Sequence, residues 1–221
     1  MMPTPQAPPP SRMRIQTRDA ELIGDLVVPE RARGLVLFAH GSGSSRKSPR
    51  NRFVAERLGR RALATLLFDL LTPAEEDIDA FTQAHRFDIA LLATRLTDAL
   101  AWAKRDARCK TLPIGLFGAS TGAAAALVAA AVAPREVRAV VSRGGRPDLA
   151  GDYLAQVTAP TLLIVGGRDD VVLELNRAAS RELRGPSELA IVEGATHLFE
   201  EPFALEEVAR LAGAHFERHL R

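Results

Sequence analysis

With 221 residues, 47% of them hydrophobic and 25% charged, the chain has the composition of an ordinary globular domain with room for one sizeable core. Twenty-nine basic residues against 27 acidic ones leave a formal charge of only +2, which gives no reason to expect nucleic acid or a membrane surface as partner. A single cysteine, Cys109, excludes an intrachain disulfide framework and a cysteine-built zinc site, and it is read as a structural thiol.

The opening stretch MMPTPQAPPPSR lacks the apolar segment of a secretory signal, and its prolines and small polar residues predict a disordered lead-in over residues 1–12. A single domain is expected over residues 13–221. MRIQT and LIGDLVV read as a strand pair. GLVLFAH (34–40), ATLLFDL (64–70), LPIGLFG (112–118), VRAVVSR (137–143), TLLIVGG (161–167) and ELAIVEG (188–194) follow as nearly all-apolar runs, the pattern of parallel strands covered on both faces. Helical patterns separate them at Arg52 to Arg61, Phe87 to Lys104, Thr121 to Val132, about Val172 to Leu183, and Phe203 onward. The acidic stretch TPAEEDIDAFTQAH (72–85) is expected to be a solvated loop. The alternation predicts a doubly wound, mostly parallel α/β sheet without a large lid domain, since only Gly144 to Pro160 separates two successive strands there. The longest apolar run, GAAAALVAAAVA, is too short to span a bilayer, and a cytoplasmic protein is expected.

Two features carry chemistry. The strand LPIGLFG runs into GASTG and then into an alanine-rich helix, which is G-x-S-x-G in its strand–turn–helix context. Ser120 then sits on a tight turn with its hydroxyl above the strand edge, facing a helix N-terminus that favours developing negative charge. A hydroxyl nucleophile needs a base, and the base needs an orienting acid. TLLIVGG ends in Arg168-Asp169-Asp170, and ELAIVEG ends in Ala195-Thr196-His197. The order Ser120, Asp169, His197 is that of a triad assembled on successive strand ends. Of the adjacent aspartates, Asp169 is expected to orient the imidazole and Asp170 to cap the following helix.

The stretch LFAHGSGSSRKSPR (37–50) has two readings. GSGSSRKS approaches a phosphate-cradling Gly-x-x-x-x-Gly-Lys-Ser loop, but Arg46 stands where that loop needs glycine, and Pro49 disfavours a helix begun at Lys47. HGSG at the end of a strand instead offers backbone N–H groups to an oxyanion.

HGSG, GASTG, GGRDDVV and GATHLFEEP together resemble the α/β-hydrolases, and in size and motif the dienelactone-hydrolase-like branch, from Gly34 onward. The resemblance implies a Ser120–Asp169–His197 triad, hydrolysis of a small-molecule carboxylic ester, and backbone oxyanion donors at Ser42 and Thr121. It implies neither cofactor nor metal. Dienelactone hydrolases proper carry a cysteine nucleophile and this chain carries Ser120, so the resemblance does not extend to dienelactone as substrate. Asp148, one strand earlier, is an alternative acid. Arg143 and Arg146 are read first as solvated or ion-paired, with contact to an anionic substrate group as the alternative. His215 and His219 have helical i, i+4 spacing without an evident third metal ligand, and are expected on the polar side of the last helix. The chain's oligomeric state is not legible, and a non-catalytic ligand-binding module of the same fold is the second functional reading.

Overall fold

The structure is a computed structural model that describes residues 8–221. Eight strands form one sheet in the order β1-β2-β4-β3-β5-β6-β7-β8. β1 (Ser11–Gln16) and β2 (Glu21–Val27) form an antiparallel hairpin, and β2 pairs antiparallel with β4 (Leu63–Phe68). The pairs joining β4, β3 (Gly34–Ala39), β5 (Ile114–Ala119), β6 (Val137–Arg143), β7 (Thr161–Gly166) and β8 (Ser187–Val192) are parallel. Every residue of β3, β4, β5 and β7 is buried, which is why these segments read as unbroken apolar runs rather than alternating ones. Of the lead-in expected over residues 1–12, residues 1–7 lie outside the described residues, and Ser11 and Arg12 already pair with β2.

Helices cover both faces. α1 (Pro49–Gly59) packs with the C-terminal α6 (Ala204–His219) on one face, where Val54, Leu58, Val208 and Phe216 join Phe38 and Phe117 in a continuous core. α3 (Ile89–Ala103) and α4 (Thr121–Val132) lie on the other face, with α5 (Asp170–Glu182) beside β7 and β8. α4 is buried along all its residues from Thr121 to Ala130, so it is apolar all round rather than amphipathic. Between β6 and β7 the chain forms only short 3₁₀ turns over Pro147–Gln156, kinked at Gly151. Among the described residues no helix is long and apolar enough to cross a membrane.

The sequence reading fails at further points in the fold. The stretch expected to be a solvated loop contains α2 (Pro73–Thr82). Thr72 caps it, its hydroxyl accepting from Glu75 N–H, while the Glu75 carboxylate accepts from Thr72 N–H, and Pro73 occupies the first helical position. T-P-A-E is thus a capping box hidden by the acidic residues around it. The helix expected at Arg52 starts at Pro49, behind the Ser48 cap. His215 does not lie on a polar face: it is buried, with Nε2 donating to the Pro160 carbonyl at 3.2 Å, and burial lowers its pKa to about 4. Cys109 is buried as a structural thiol should be, its Sγ–H donating to the Ala103 carbonyl, and burial raises its pKa to about 11.

α2 is fastened by one buried cation. Arg95 on α3 reaches both Glu75 carboxylate oxygens at 2.6 Å and donates to the Leu70 carbonyl at 2.9 Å, tying α2 to the end of β4. The hydrogen bonds from Arg95 hold the Glu75 carboxyl down to about 2. Because this folded value lies below the ordinary one, the stabilisation is complete above about pH 4.5 and is lost as pH falls toward about 2. Glu75→Gln should therefore cost about 2 kcal/mol at neutral pH, less than the ~3–5 kcal/mol of breaking a fully buried pair, because the Glu75 side chain stays 25% exposed to screening water. Melting curves between pH 6 and 3 test this: the wild type should lose stability more steeply than the variant, and parallel slopes would refute the coupling.

Candidate active site

Because β3 and β5–β8 run parallel, their C-terminal ends share one edge of the sheet, where doubly wound folds assemble their sites. Ser120 lies there between β5 and α4 with φ 51° and ψ −122°. A residue bearing a side chain rarely adopts this region, and it is held there by close packing. A Cβ at Gly122 would stand 2.2 Å from the Ala39 carbonyl oxygen, and one at Gly118 would stand 2.4 Å from Ala123 Cα. These two glycines let α4 press against the ends of β3 and β5, so the turn between them must be sharp.

His197 follows β8, and its Nδ1 bonds Asp169 Oδ2 at 2.6 Å. The loop that carries it is pinned on both sides. Thr196 N–H donates to Glu201 at 2.9 Å, and Arg168 N–H, beside Asp169, donates to the Ala195 carbonyl at 2.9 Å. With Nδ1 engaged, Nε2 is the imidazole nitrogen free to exchange a proton. Ser120 and His197 line one cavity of about 220 Å³, together with Ser42. α5 begins at Asp170, so Asp169 takes the N-cap position, and neither aspartate accepts a capping bond. The expected capping role of Asp170 is therefore not observed: the helix starts earlier than its apolar pattern suggests, and the carboxylate at the cap position is turned to His197. Asp148 instead pairs with Arg146 at 2.7 Å and does not meet His197.

The HGSG loop faces the same cavity. Among the described residues, neither Ser42 N–H nor Thr121 N–H has a hydrogen-bond acceptor. The orientation of Ser42 N–H depends on a residue the sequence reading passed over. His40 is buried, and its Nε2 accepts from Leu70 N–H at 3.0 Å, which places the ring hydrogen on Nδ1 for donation to the Gly41 carbonyl at 3.0 Å. Ser44 N–H donates to the same oxygen at 3.2 Å. In a trans peptide the C=O and N–H point in opposite directions, so fixing the Gly41 oxygen fixes where Ser42 N–H aims. Burial lowers the His40 pKa and so favours the neutral ring that this relay requires. Motif spacing identified the loop, but only the packing of Leu70 against it reveals the imidazole's task.

The phosphate-cradling alternative finds no support in this loop. Arg46 is tied by ion pairs to Asp69 and, at 3.3 Å, to Asp25, and the helix begins at Pro49 rather than at the Lys47–Ser48 pair. Two carboxylates of α2 are held by arginines, Glu75 by Arg95 and Asp79 by Arg86.

The chain is similar to known proteins in sequence and in fold. A crystal structure of a dienelactone hydrolase from Anabaena variabilis superposes with a TM-score of 0.95 at 54% identity, covering 98% of this chain and all of that one. Est1E from Butyrivibrio proteoclasticus has the same fold, with a TM-score of 0.78 at 18% identity over 94% of this chain and 98% of that one. Two Mycobacterium tuberculosis proteins named for phosphoribosyl transfer are 58% identical over 217 residues, 97% of this chain; the chain spans about half the length of these curated relatives, 48%. The dienelactone hydrolase family profile matches residues 55–220. The chain is a hydrolase-fold protein that belongs to the dienelactone hydrolase family.

Proposed function

We propose that the protein is a serine hydrolase that cleaves small carboxylic esters. The observation that carries this reading is the 2.6 Å bond from His197 Nδ1 to Asp169, at the rim of a cavity that also holds Ser120 on its positive-φ turn. Ser120 Oγ attacks the ester carbonyl as His197 Nε2 takes its proton, and Asp169 stabilises the imidazolium that forms. The carbonyl oxygen becomes an oxyanion that the N–H groups of Ser42 and Thr121 receive. The C–O bond then breaks, and His197 returns its proton to the departing alcohol. Water repeats the sequence on the acyl-enzyme and frees the acid. The short connection between β6 and β7 leaves the site without a lid domain, which favours compact esters. The names of the two mycobacterial relatives denote another chemistry, but those chains are about twice as long, and the 2.6 Å His197–Asp169 bond beside Ser120 supports the acyl-transfer reading.

Incubation with a serine-directed alkyl phosphonate separates the enzyme from a non-catalytic binding module of the same fold. One equivalent should attach at Ser120, and Ser120→Ala should neither label nor hydrolyse 4-nitrophenyl acetate; an unlabelled wild type would favour the binding module.

The two aspartates are distinguished by kinetics. Asp169→Asn should keep the fold and lower kcat by ~10²–10⁴, because the imidazole loses its preferred tautomer. Asp170→Ala should leave kcat within about threefold and cost at most ~1 kcal/mol, since it meets α5 only through the helix dipole. The reverse pattern would exchange their roles.

His40→Phe tests the carbonyl anchor. The variant should lose about tenfold to a hundredfold in kcat with KM nearly unchanged, less than the ~10²–10³ of deleting an oxyanion donor outright. A change confined to the melting temperature would reduce His40 to a structural role.

A further inference from the structure

The turn after β6 grips Ser120 by its backbone. Ser120 N–H donates to the Arg143 carbonyl at 3.3 Å, and Arg146 N–H donates to the Ser120 carbonyl at 3.1 Å. The donor and the acceptor of the residue with φ 51° are thus both taken up by one turn. Of the arginines in it, Arg146 is ion-paired with Asp148, as the sequence suggested. Arg143 is neither solvated nor ion-paired: it is 9% exposed, and its Nε and Nη1 have no hydrogen-bond partner among the described residues.

Gly144 and Gly145 make the bend of this turn. Gly144 has φ 51°, and a Cβ there would stand 3.2 Å from the His197 carbonyl oxygen and 3.6 Å from His197 Cε1. A Cβ at Gly145 would stand 2.0 Å from Ser142 Oγ and 2.7 Å from Ala123 Cβ. The bend is therefore pressed between His197 and α4. Two adjacent glycines restrict their own backbone least, so contacts outside the turn must fix it. Gly144 N–H donates to the Ile164 carbonyl on β7 at 2.8 Å. The Gly145 carbonyl is held by a side chain, that of Asn176.

Asn176 lies on α5 and is fully buried. Its Nδ2 donates to the Gly145 carbonyl at 2.9 Å and to the Val172 carbonyl at 2.7 Å. Both partners are carbonyls, so the amide nitrogen rather than the oxygen must face them. Its Oδ1 has no partner, which makes this amide a poorer filling for the core than a leucine of similar size. Asp169 and Asn176 stand close to two helical turns apart, on one side of α5. The same helix thus presents a carboxylate to His197 and an amide to the turn that grips Ser120.

We infer that Asn176 is a positioning residue: by holding the Gly145 carbonyl it fixes the turn that aligns Ser120 with His197. It acts through the backbone of that turn and touches none of the reacting atoms. The inference rests on the hydrolase reading for its effect on rate, but the grip on Ser120 is measurable without turnover.

Asn176→Ser supplies the test. A helical serine still reaches the carbonyl one turn back, here Val172, but not Gly145. Asn176→Leu removes both bonds, and Asn176→Ser carries the test alone if the leucine variant does not fold. Ala179→Gly, at another buried position of α5, is the control for helix destabilisation by itself. In the Asn176 variants kcat for 4-nitrophenyl acetate, measured well below the melting temperature, should fall at least about tenfold with KM within about twofold. Phosphonate labelling of Ser120 should slow in parallel, and amide hydrogen exchange at Ser120 and Arg146 should quicken by at least about tenfold. Ala179→Gly should lower the melting temperature and leave kcat and exchange at those two amides as in the wild type. Unchanged kcat or unchanged exchange in Asn176→Ser, or an equal loss of kcat in Ala179→Gly, would overturn the positioning role, and turnover by the wild type would leave the hydrolase reading intact. Quickened exchange in the Asn176 variants, with neither turnover nor labelling by the wild type, would uphold the grip on Ser120 and overturn the hydrolase reading.

Discussion

Ser120 holds a backbone conformation, φ 51° and ψ −122°, that costs a side-chain-bearing residue about 1–3 kcal/mol, and the geometry of this sheet edge follows from how it is kept there. The turn is forced by the close approach of α4 to β3 and β5 through Gly118 and Gly122. That approach is favourable because α4 buries alanines around its whole circumference. At roughly 0.8 kcal/mol per buried methyl-sized group, a few of these residues outweigh the strain. The same approach brings the HGSG loop close, since a Cβ at Gly41 would stand 3.0 Å from Ser120 Cβ. Packing of one apolar helix therefore sets both the position of Ser120 and the loop that faces it.

The remaining parts of the edge are held by polar contacts that each fix one direction. His40 connects Leu70 N–H to the Gly41 carbonyl and so links the end of β4 to the HGSG loop. Arg46 anchors the far side of this loop to Asp69 and Asp25. Arg95 draws α2 against the Leu70 carbonyl, so β4's end is bound from both its N–H and its C=O. Glu201 holds Thr196 N–H beside His197. The two arginine anchors, Arg46 and Arg95, each have carboxylate partners, which is the condition under which a buried charge is tolerated.

Much of this was legible in the sequence. The strands announced themselves because both their faces are covered, which turns them into apolar runs bounded by glycine, proline or charge. Ser120, Asp169 and His197 were legible because each stands directly after such a run, and a parallel sheet carries all those ends to one edge. What was missed depends on packing rather than period. α2 buries only Asp79, so its sequence shows no apolar stripe, and only the Thr72–Glu75 capping box marks it. The Asp170 cap failed because α5 begins at Asp170 itself, before its first apolar residue, which leaves the cap position to Asp169, whose carboxylate bonds the imidazole. His40 was visible as a letter in HGSG, but its role needs Leu70, thirty residues away in the chain and adjacent only in the sheet.

Arg143 illustrates the limit most plainly. In SRGGRPD, Arg143 and Arg146 are equivalent as letters, two cations in a glycine-rich turn. The fold separates them completely. β6 carries Arg143 into the interior edge beside Ser120, whereas Arg146 lies past the Gly144 turn, where Asp148 reaches it from two residues away. An unpaired buried charge opposes folding, where an apolar side chain of similar size would favour it. Departures from packing rules concentrate where a protein binds or reacts, and here the departure shares a cavity with Ser120. The stability lost at Arg143 must be supplied elsewhere in the fold, and the paired arginines, the buried α4 and the doubly covered sheet are where this chain supplies it.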